Sequence, residues 1–101
     1  MEIRAVLAGE PGIAEKKMFG GLSYLLDGNL ACGVIGSELI VRVGPEATEE
    51  ALAHPHTRAF DFSGKPMKGW IVVRPEGYAD DEDLRAWVRR GVDFAASLPK
   101  K

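Results

Sequence analysis

The sequence predicts an α+β fold in which an antiparallel sheet of about five strands carries helices on one face, in the order α-β-β-β-α-β-β-α. Three observations predict it. Short apolar runs alternate with glycine-containing turns between residues 22 and 43, a run of residues that favour strands follows at 70–73, and an amphipathic helix spans 80–98. A sheet with one helix-covered face is the simplest solution for that order. No repeat or long linker divides the chain, so we expect one domain over residues 1–101.

Composition limits the classes of function. A formal net charge of −2 over 101 residues gives no broad attraction to nucleic acid or to an anionic membrane. The single cysteine, Cys32, excludes an intrachain disulfide framework and is typical of a reducing compartment. Apolar runs are short and the N-terminus does not resemble a secretion leader, so we expect a cytoplasmic protein without membrane contact.

The first helix covers residues 1–9, because Ile3, Val6 and Leu7 share one face and Gly9 with Pro11 ends the pattern. The stretch Lys16–Gly21 follows, and the strands begin there. Its two adjacent glycines are unfavourable in a regular strand, so they predict a bend, a bulge or a close backbone contact.

Residues 22–43 predict a three-stranded antiparallel meander. The first strand, Leu22–Leu26, is joined to Leu30–Ile35 by Asp27-Gly28-Asn29, a strong signal for a two-residue hairpin turn. Gly36-Ser37 then turns the chain into the strand Glu38–Val43.

The second half predicts a helix, a hairpin and a longer helix. Gly44-Pro45 opens a short helix that Pro55 closes. The strands 58–62 and 67–74 flank a turn at 63–66. The last helix, capped by Asp80 or Asp81, has an apolar face formed by Leu84, Trp87, Val88, Gly91, Val92, Ala95 and Leu98. A glycine on that face predicts that the helix approaches the sheet closely at residue 91.

Five short segments resemble the TfoX (Sxy) N-terminal domain family over residues 12–98. They are Lys17-Met18-Phe19-Gly20-Gly21, Gly28-Asn29 through Cys32-Gly33-Val34, Leu39–Pro45, Phe62–Met67, and Gly69-Trp70. The resemblance implies an α+β domain of the secretion-chaperone-like type. In its namesakes this domain precedes a helical C-terminal domain, and the full protein regulates natural competence alongside the catabolite activator protein. We expect the chain to be a stand-alone copy of this domain with a short first helix, and so we do not expect it simply to inherit the competence role.

Four features invite a chemical interpretation, and in each case a structural one is favoured. Cys32 has neighbours that supply no base or positive charge, so we expect a buried structural thiol. His54 and His56 lack accompanying metal ligands and are expected at the surface. Gly64-Lys65-Pro66 cannot form a phosphate loop, and the acidic run 80–83 is explained by its place at a helix start. We therefore predict no catalytic residue, cofactor or metal.

One combination predicts a candidate interaction surface around the two glycine-rich turns. Its members are Lys17, Met18, Phe19, Gly20, Gly21, Arg42, Lys65, Met67, Lys68 and Trp70, with Lys16 and Arg58 nearby. If the turns meet in space, apolar residues of the types enriched at protein contacts are rimmed by positive charge. The alternative is that the apolar members belong to the core and the lysines are merely solvated.

Two functions from different classes follow. The first is a non-enzymatic regulatory module that binds a protein partner, such as a transcription regulator, or itself as a homodimer through a sheet edge or a helix face. The alternative is a transcription-regulator domain that contacts nucleic acid, for which Arg85, Arg89 and Arg90 on the last helix are available beside an acidic first turn. An enzyme or a small-ligand binder is the third interpretation.

Overall fold

A computed structural model describes residues 3–18, 21–62 and 65–99, and for residues 18, 62 and 65–67 it describes the backbone alone. Six antiparallel strands form one sheet in the order β1-β2-β3-β4-β6-β5. The strands are β1 (Ile13–Met18), β2 (Gly21–Leu26), β3 (Asn29–Ile35), β4 (Glu38–Arg42), β5 (Thr57–Phe62) and β6 (Lys65–Val73). The helices are α1 (Ile3–Leu7), α2 (Thr48–Leu52) and α3 (Asp81–Ala96), with 3-10 turns at Pro45–Ala47 and Pro75–Tyr78. The predicted α+β class is confirmed.

The sheet has six strands where the sequence predicts about five; the additional strand is β1, whose residues carry no strand pattern. Strand β1 lies at the edge of the sheet, and residues 14–17 are all exposed. Such a strand buries neither face fully, so it shows none of the apolar alternation that marks a half-buried strand. The meander that follows is confirmed. Asp27 and Gly28 both have positive φ, of 50° and 87°, as the predicted hairpin turn requires.

The main core lies between the helices and one face of the sheet. Tyr24, Cys32, Val41 and Ile71 are direct partners across four neighbouring strands, and all four are buried against the helices. All three helices contribute to this core. Their residues in it are Ile3, Leu7, Ala51, Leu84, Trp87, Val88, Val92 and Ala95. All three helices therefore cover the same face of the sheet, as predicted.

The register places Ala31 in a β-bulge of β3, because Tyr24 pairs with Cys32 and the next residue, Leu25, pairs with Leu30. Gly91 of α3 lies against the backbone of Ala31, which confirms the predicted close approach of helix and sheet. Gly21, from the first glycine-rich turn, lies equally close to the carbonyl group of Val34. The prediction of a close backbone contact therefore holds for this residue.

The opposite face of the sheet carries a second, smaller apolar cluster. Ile40, Phe60 and Val72 are each at most 5% exposed, and Ile35 and Trp70 pack against them half-buried. This cluster lies on the face away from the helices. Ile40 and Val72 are direct partners, and the residues before and after each of them face the main core, so this pair faces the opposite side.

The helix ends differ in detail from the prediction. Asp80 occupies the N-cap position of α3, but its side chain makes no capping hydrogen bond, so the acidic run acts only through its charge at the helix start. Pro45 begins a 3-10 turn, and the α-helix proper starts at Thr48. After α3, the side-chain amide of Asn29 donates to the carbonyl of Pro99 at 2.8 Å and attaches the end of the chain to the β2–β3 turn. Within the described part of the chain, no helix combines the length and apolar character needed to cross a bilayer.

Candidate functional site

Gly69, within β6, is the residue to which the loop before α2 is hydrogen-bonded. Its φ of 95° lies in the region that favours glycine. Its carbonyl accepts the N–H groups of Val43 and Gly44, at 2.8 and 3.1 Å. Its own N–H donates to the Thr48 hydroxyl at 2.9 Å, and that hydroxyl donates to the carbonyl of Gly44 at 2.9 Å. The start of α2 is thereby fixed to β6.

Next to this junction, the guanidinium of Arg42 lies between two aromatic rings. Arg42 and Trp70 are direct partners between β4 and β6. The Arg42 Cζ atom lies 5.4 Å from the centre of the Trp70 ring and 5.3 Å from that of Phe94 in α3. Both distances are within the range of cation–π attraction. Contact with two rings restricts the positions open to the guanidinium, and all three side chains are half-buried.

A groove of about 350 Å³ runs beside Trp70, between α2 and the β5–β6 hairpin. Its lining residues are Pro45, Glu46, Thr48, Glu49, Leu52, Ala59, Lys68 and Trp70. Glu46 and Glu49 provide carboxylates from the side of α2, and Lys68 provides an ammonium group from β6. None of these three groups forms an ion pair with another described residue. A second depression, which shares Pro45 and Glu46 with the first, extends to Phe94.

We name this region the Trp70 surface; it comprises Arg42, Lys68, Trp70, Phe94 and the groove. Three of the predicted site residues, Arg42, Lys68 and Trp70, lie together here. Lys65 and Met67 belong to the same strand, but only their backbone is described. Phe94 was not predicted; the available signal was its position as an aromatic residue off the apolar face of the last helix.

The other predicted site residues belong to the β1–β2 hairpin. Lys17 is exposed on β1, Met18 pairs with Gly21, and Phe19 and Gly20 lie outside the described residues. The pairing registers place this hairpin at the same end of the strands as the β3–β4 turn, whereas Arg42 lies at the opposite end of β4. Strand pairing thus separates the two groups, and a single surface that includes both remains a prediction.

The structure also places the residues that were considered for chemistry. Cys32 is 0% exposed, and burial raises the pKa of its thiol to about 12, so the predicted buried structural cysteine is confirmed. His54 and His56 are both exposed at the end of α2. Among the described residues, no group of three or more His, Cys, Asp and Glu side chains is arranged to hold a metal ion.

His54 instead belongs to a contact between α2 and α3. Its Nε2 lies 2.9 Å from Glu50 Oε2, and Glu50 Oε1 accepts a hydrogen bond of 2.6 Å from Arg90 Nη2. Arg90 stacks over Trp87 at 5.2 Å, and the His54 ring meets the same indole edge-on. The hydrogen bonds from Arg90 and His54 lower the pKa of Glu50. This arrangement connects the helices and leaves the Trp70 surface as the candidate site.

Comparison with protein families relates the chain to a known family. The model described as the TfoX N-terminal domain matches residues 5–95, which is nearly the whole chain. No curated protein matches the chain.

Proposed function

Because the chain belongs to the TfoX N-terminal domain family, we propose that it is a non-enzymatic regulatory module that binds other proteins, including a second copy of itself. The observation that carries the proposal is the cation–π contact of Arg42 with Trp70 beside a groove lined by Lys68, which forms no ion pair with a described residue. Tryptophan and arginine dominate the binding energy of protein interfaces. Here the arginine is already ordered by its stacking, so less side-chain entropy is lost when a partner binds.

The composition of the Trp70 surface suits a protein partner, and in keeping with the family we expect a transcription regulator among the candidates. Apolar groups from Leu52, Ala59 and Trp70 lie at the groove, and carboxylates and an ammonium group lie around them. An apolar centre with a polar rim of mixed charge is the usual anatomy of a protein–protein interface. The burial of Cys32 argues against a cysteine nucleophile and so supports a non-enzymatic role, and the single cysteine of the sequence is typical of a reducing, cytoplasmic location.

Charge pairing favours proteins over nucleic acid as the partner. Three exposed arginines and the half-buried Arg90 could meet phosphates, but they are already paired with carboxylates: Arg4 with Glu15, Arg58 with Glu38, Arg89 with Glu10 and Asp93, and Arg90 with Glu50. Each phosphate contact by such an arginine would first break an internal pair. A duplex-DNA titration at increasing salt tests the alternative, because nucleic-acid binding falls steeply as salt rises.

Affinity capture with matched variants tests the proposal. The wild-type chain, a Lys68→Glu variant and an Arg85→Glu variant are used to capture proteins from the native cell extract. Arg85 is an exposed cation on α3, so its variant matches the change of charge away from the Trp70 surface. We expect proteins that the wild type and Arg85→Glu retain and Lys68→Glu loses, with equal melting temperatures. Identical capture by all three chains would contradict the proposed surface.

A further inference from the structure

The two edge strands of the sheet, β1 and β5, are not equally suited to pairing with another strand. Strand β5 has a register shift between Ala59 and Asp61, and such bulges disrupt the row of backbone groups at an edge. Strand β1 pairs with β2 without any shift, from Ile13 opposite Leu26 to Met18 opposite Gly21. The regular edge of this sheet is therefore β1.

Backbone pairing fixes which groups of β1 point outward. The N–H of Asp27 donates to the carbonyl of Gly12 at 3.0 Å, in continuation of the β1–β2 register. Hydrogen-bonded and non-hydrogen-bonded pairs alternate along an antiparallel ladder. The backbone groups of Ala14 and Lys16 consequently face β2, and those of Glu15 and Lys17 face away from the sheet.

The side chains of Glu15 and Lys17 lie on one face of the strand and that of Lys16 on the other. Glu15 is the direct partner of Tyr24, which is buried against the helices, so Glu15 and Lys17 are on the helix side. Arg4 of α1 orients the Glu15 carboxylate through two hydrogen bonds of 2.7 Å. Lys16 and Lys17 are exposed and form no ion pair with any described residue.

We infer that β1 pairs antiparallel with β1 of a second copy of the chain, with Lys16 on the twofold axis. In this register Glu15 lies opposite the partner's Lys17, and the symmetry repeats the contact. In the same register the outward backbone groups of Glu15 face those of the partner's Lys17, so the two residues can exchange hydrogen bonds. This inference rests on the self-association included in the proposed function.

Charge complementarity selects this register over its neighbours. A pairing centred on Glu15 would oppose two carboxylates, and one centred on Lys17 would oppose two ammonium groups; like charges directly opposite each other are unfavourable. The cost of the inferred register is the approach of Lys16 to the partner's Lys16 on the other face. A single strand pairing buries little area, so the dimer is a weak one that forms at high concentration.

Sedimentation equilibrium from tens of micromolar to millimolar tests the register through four substitutions. We expect the wild type to dimerise as concentration rises. Lys17→Glu and Glu15→Lys each place like charges opposite one another, so each weakens the dimer about tenfold or more. An equimolar mixture of these two variants restores association, because both contacts between residue 15 of one chain and residue 17 of the other again join opposite charges. Lys16→Thr strengthens the dimer by removing the repulsion at the axis, and Lys68→Glu leaves it unchanged.

Three results would overturn the inference. If the protein is strictly monomeric at millimolar concentration, self-association is excluded. The capture experiment at the Trp70 surface then tests the rest of the proposed function separately. A dimer that Lys17→Glu leaves unchanged, or a mixture that fails to restore association, excludes the β1 register while self-association itself stands. Far-ultraviolet circular dichroism of each variant verifies that the fold is retained.

Discussion

The α-carbon of Gly91 in α3 lies so close to Ala31 in β3 that a Cβ atom at residue 91 would overlap the Ala31 carbonyl oxygen and lie 3.0 Å from its carbonyl carbon. The bulge at Ala31 presents this backbone to the helix, and no side chain can move to relieve the contact. Only a residue without a Cβ allows α3 to pack at this distance from the sheet.

Gly91→Ala is therefore expected to destabilise the protein although alanine is the better helix former. Helix propensity alone would stabilise by about 1 kcal/mol. Overpacking against a rigid backbone costs more, and we expect the free energy of unfolding to fall by roughly 1–3 kcal/mol in urea titrations. Gly9→Ala is the matched control, since a Cβ there would meet nothing within 4 Å. A stabilised Gly91→Ala variant would contradict the packing described here.

Thr48→Val is expected to loosen the junction that forms the Trp70 surface. The substitution keeps the shape of the side chain but removes the hydroxyl that accepts from Gly69 and donates to Gly44. The N–H of Gly69, a buried residue, then lacks its acceptor, which costs about 1–3 kcal/mol. Thermal unfolding measures the loss. Thr48→Ser retains the hydroxyl and should remain close to the wild type.

The Cys32 thiol is expected to make stability fall at alkaline pH. Burial raises its folded pKa from the ordinary 9.0 to about 12, so in the unfolded chain the thiol ionises first. Its contribution is fully present below about pH 9 and is lost as the pH rises toward the folded pKa, by up to about 1.4 kcal/mol per pH unit. The difference between the wild type and Cys32→Ala, measured by urea unfolding across this range, should therefore decrease. A constant difference would show that the thiol ionises equally in both states.

Glu50 is expected to make the stability of the protein fall at acidic pH. Hydrogen bonds from Arg90 and His54 lower the pKa of its carboxyl from the ordinary 4.5. A lowered folded pKa gives stability that is present above the unfolded pKa and is lost as the pH falls. The advantage of the wild type over Glu50→Gln should thus shrink on acidification below about pH 4.5, in melting temperatures recorded at low salt. Glu46→Gln, which removes a carboxyl in no ion pair with a described residue, is the matched control for the loss of one negative charge.

Local sequence signals predicted the elements that bury one regular face. The spacing from Leu84 to Ala95 predicts α3, and Asp27-Gly28 predicts the first hairpin of the meander. Strand β1 was missed because an exposed edge strand with consecutive charges has no apolar period. Because Gly91 lies on the apolar face of the last helix, the sequence also predicts its close contact with the sheet, and the structure confirms it.

The candidate site was predicted only in part because it depends on pairings distant in sequence. Arg42 meets Trp70 because β4 pairs with β6, across an intervening helix and strand. No local pattern determines that crossover, so the sequence could not separate the group around Arg42 from the one around Lys17. Phe94 reaches Arg42 from a third element, which only tertiary packing can bring there.

The attachment of Pro99 to Asn29, and the packing of α3 over β3, has a consequence for biosynthesis. The meander is translated early, but its helix-facing apolar side chains have no cover until α3 emerges from the ribosome. Nascent chains should therefore remain protease-sensitive and available to chaperones until residue 99 has left the ribosome, and acquire resistance in one late step.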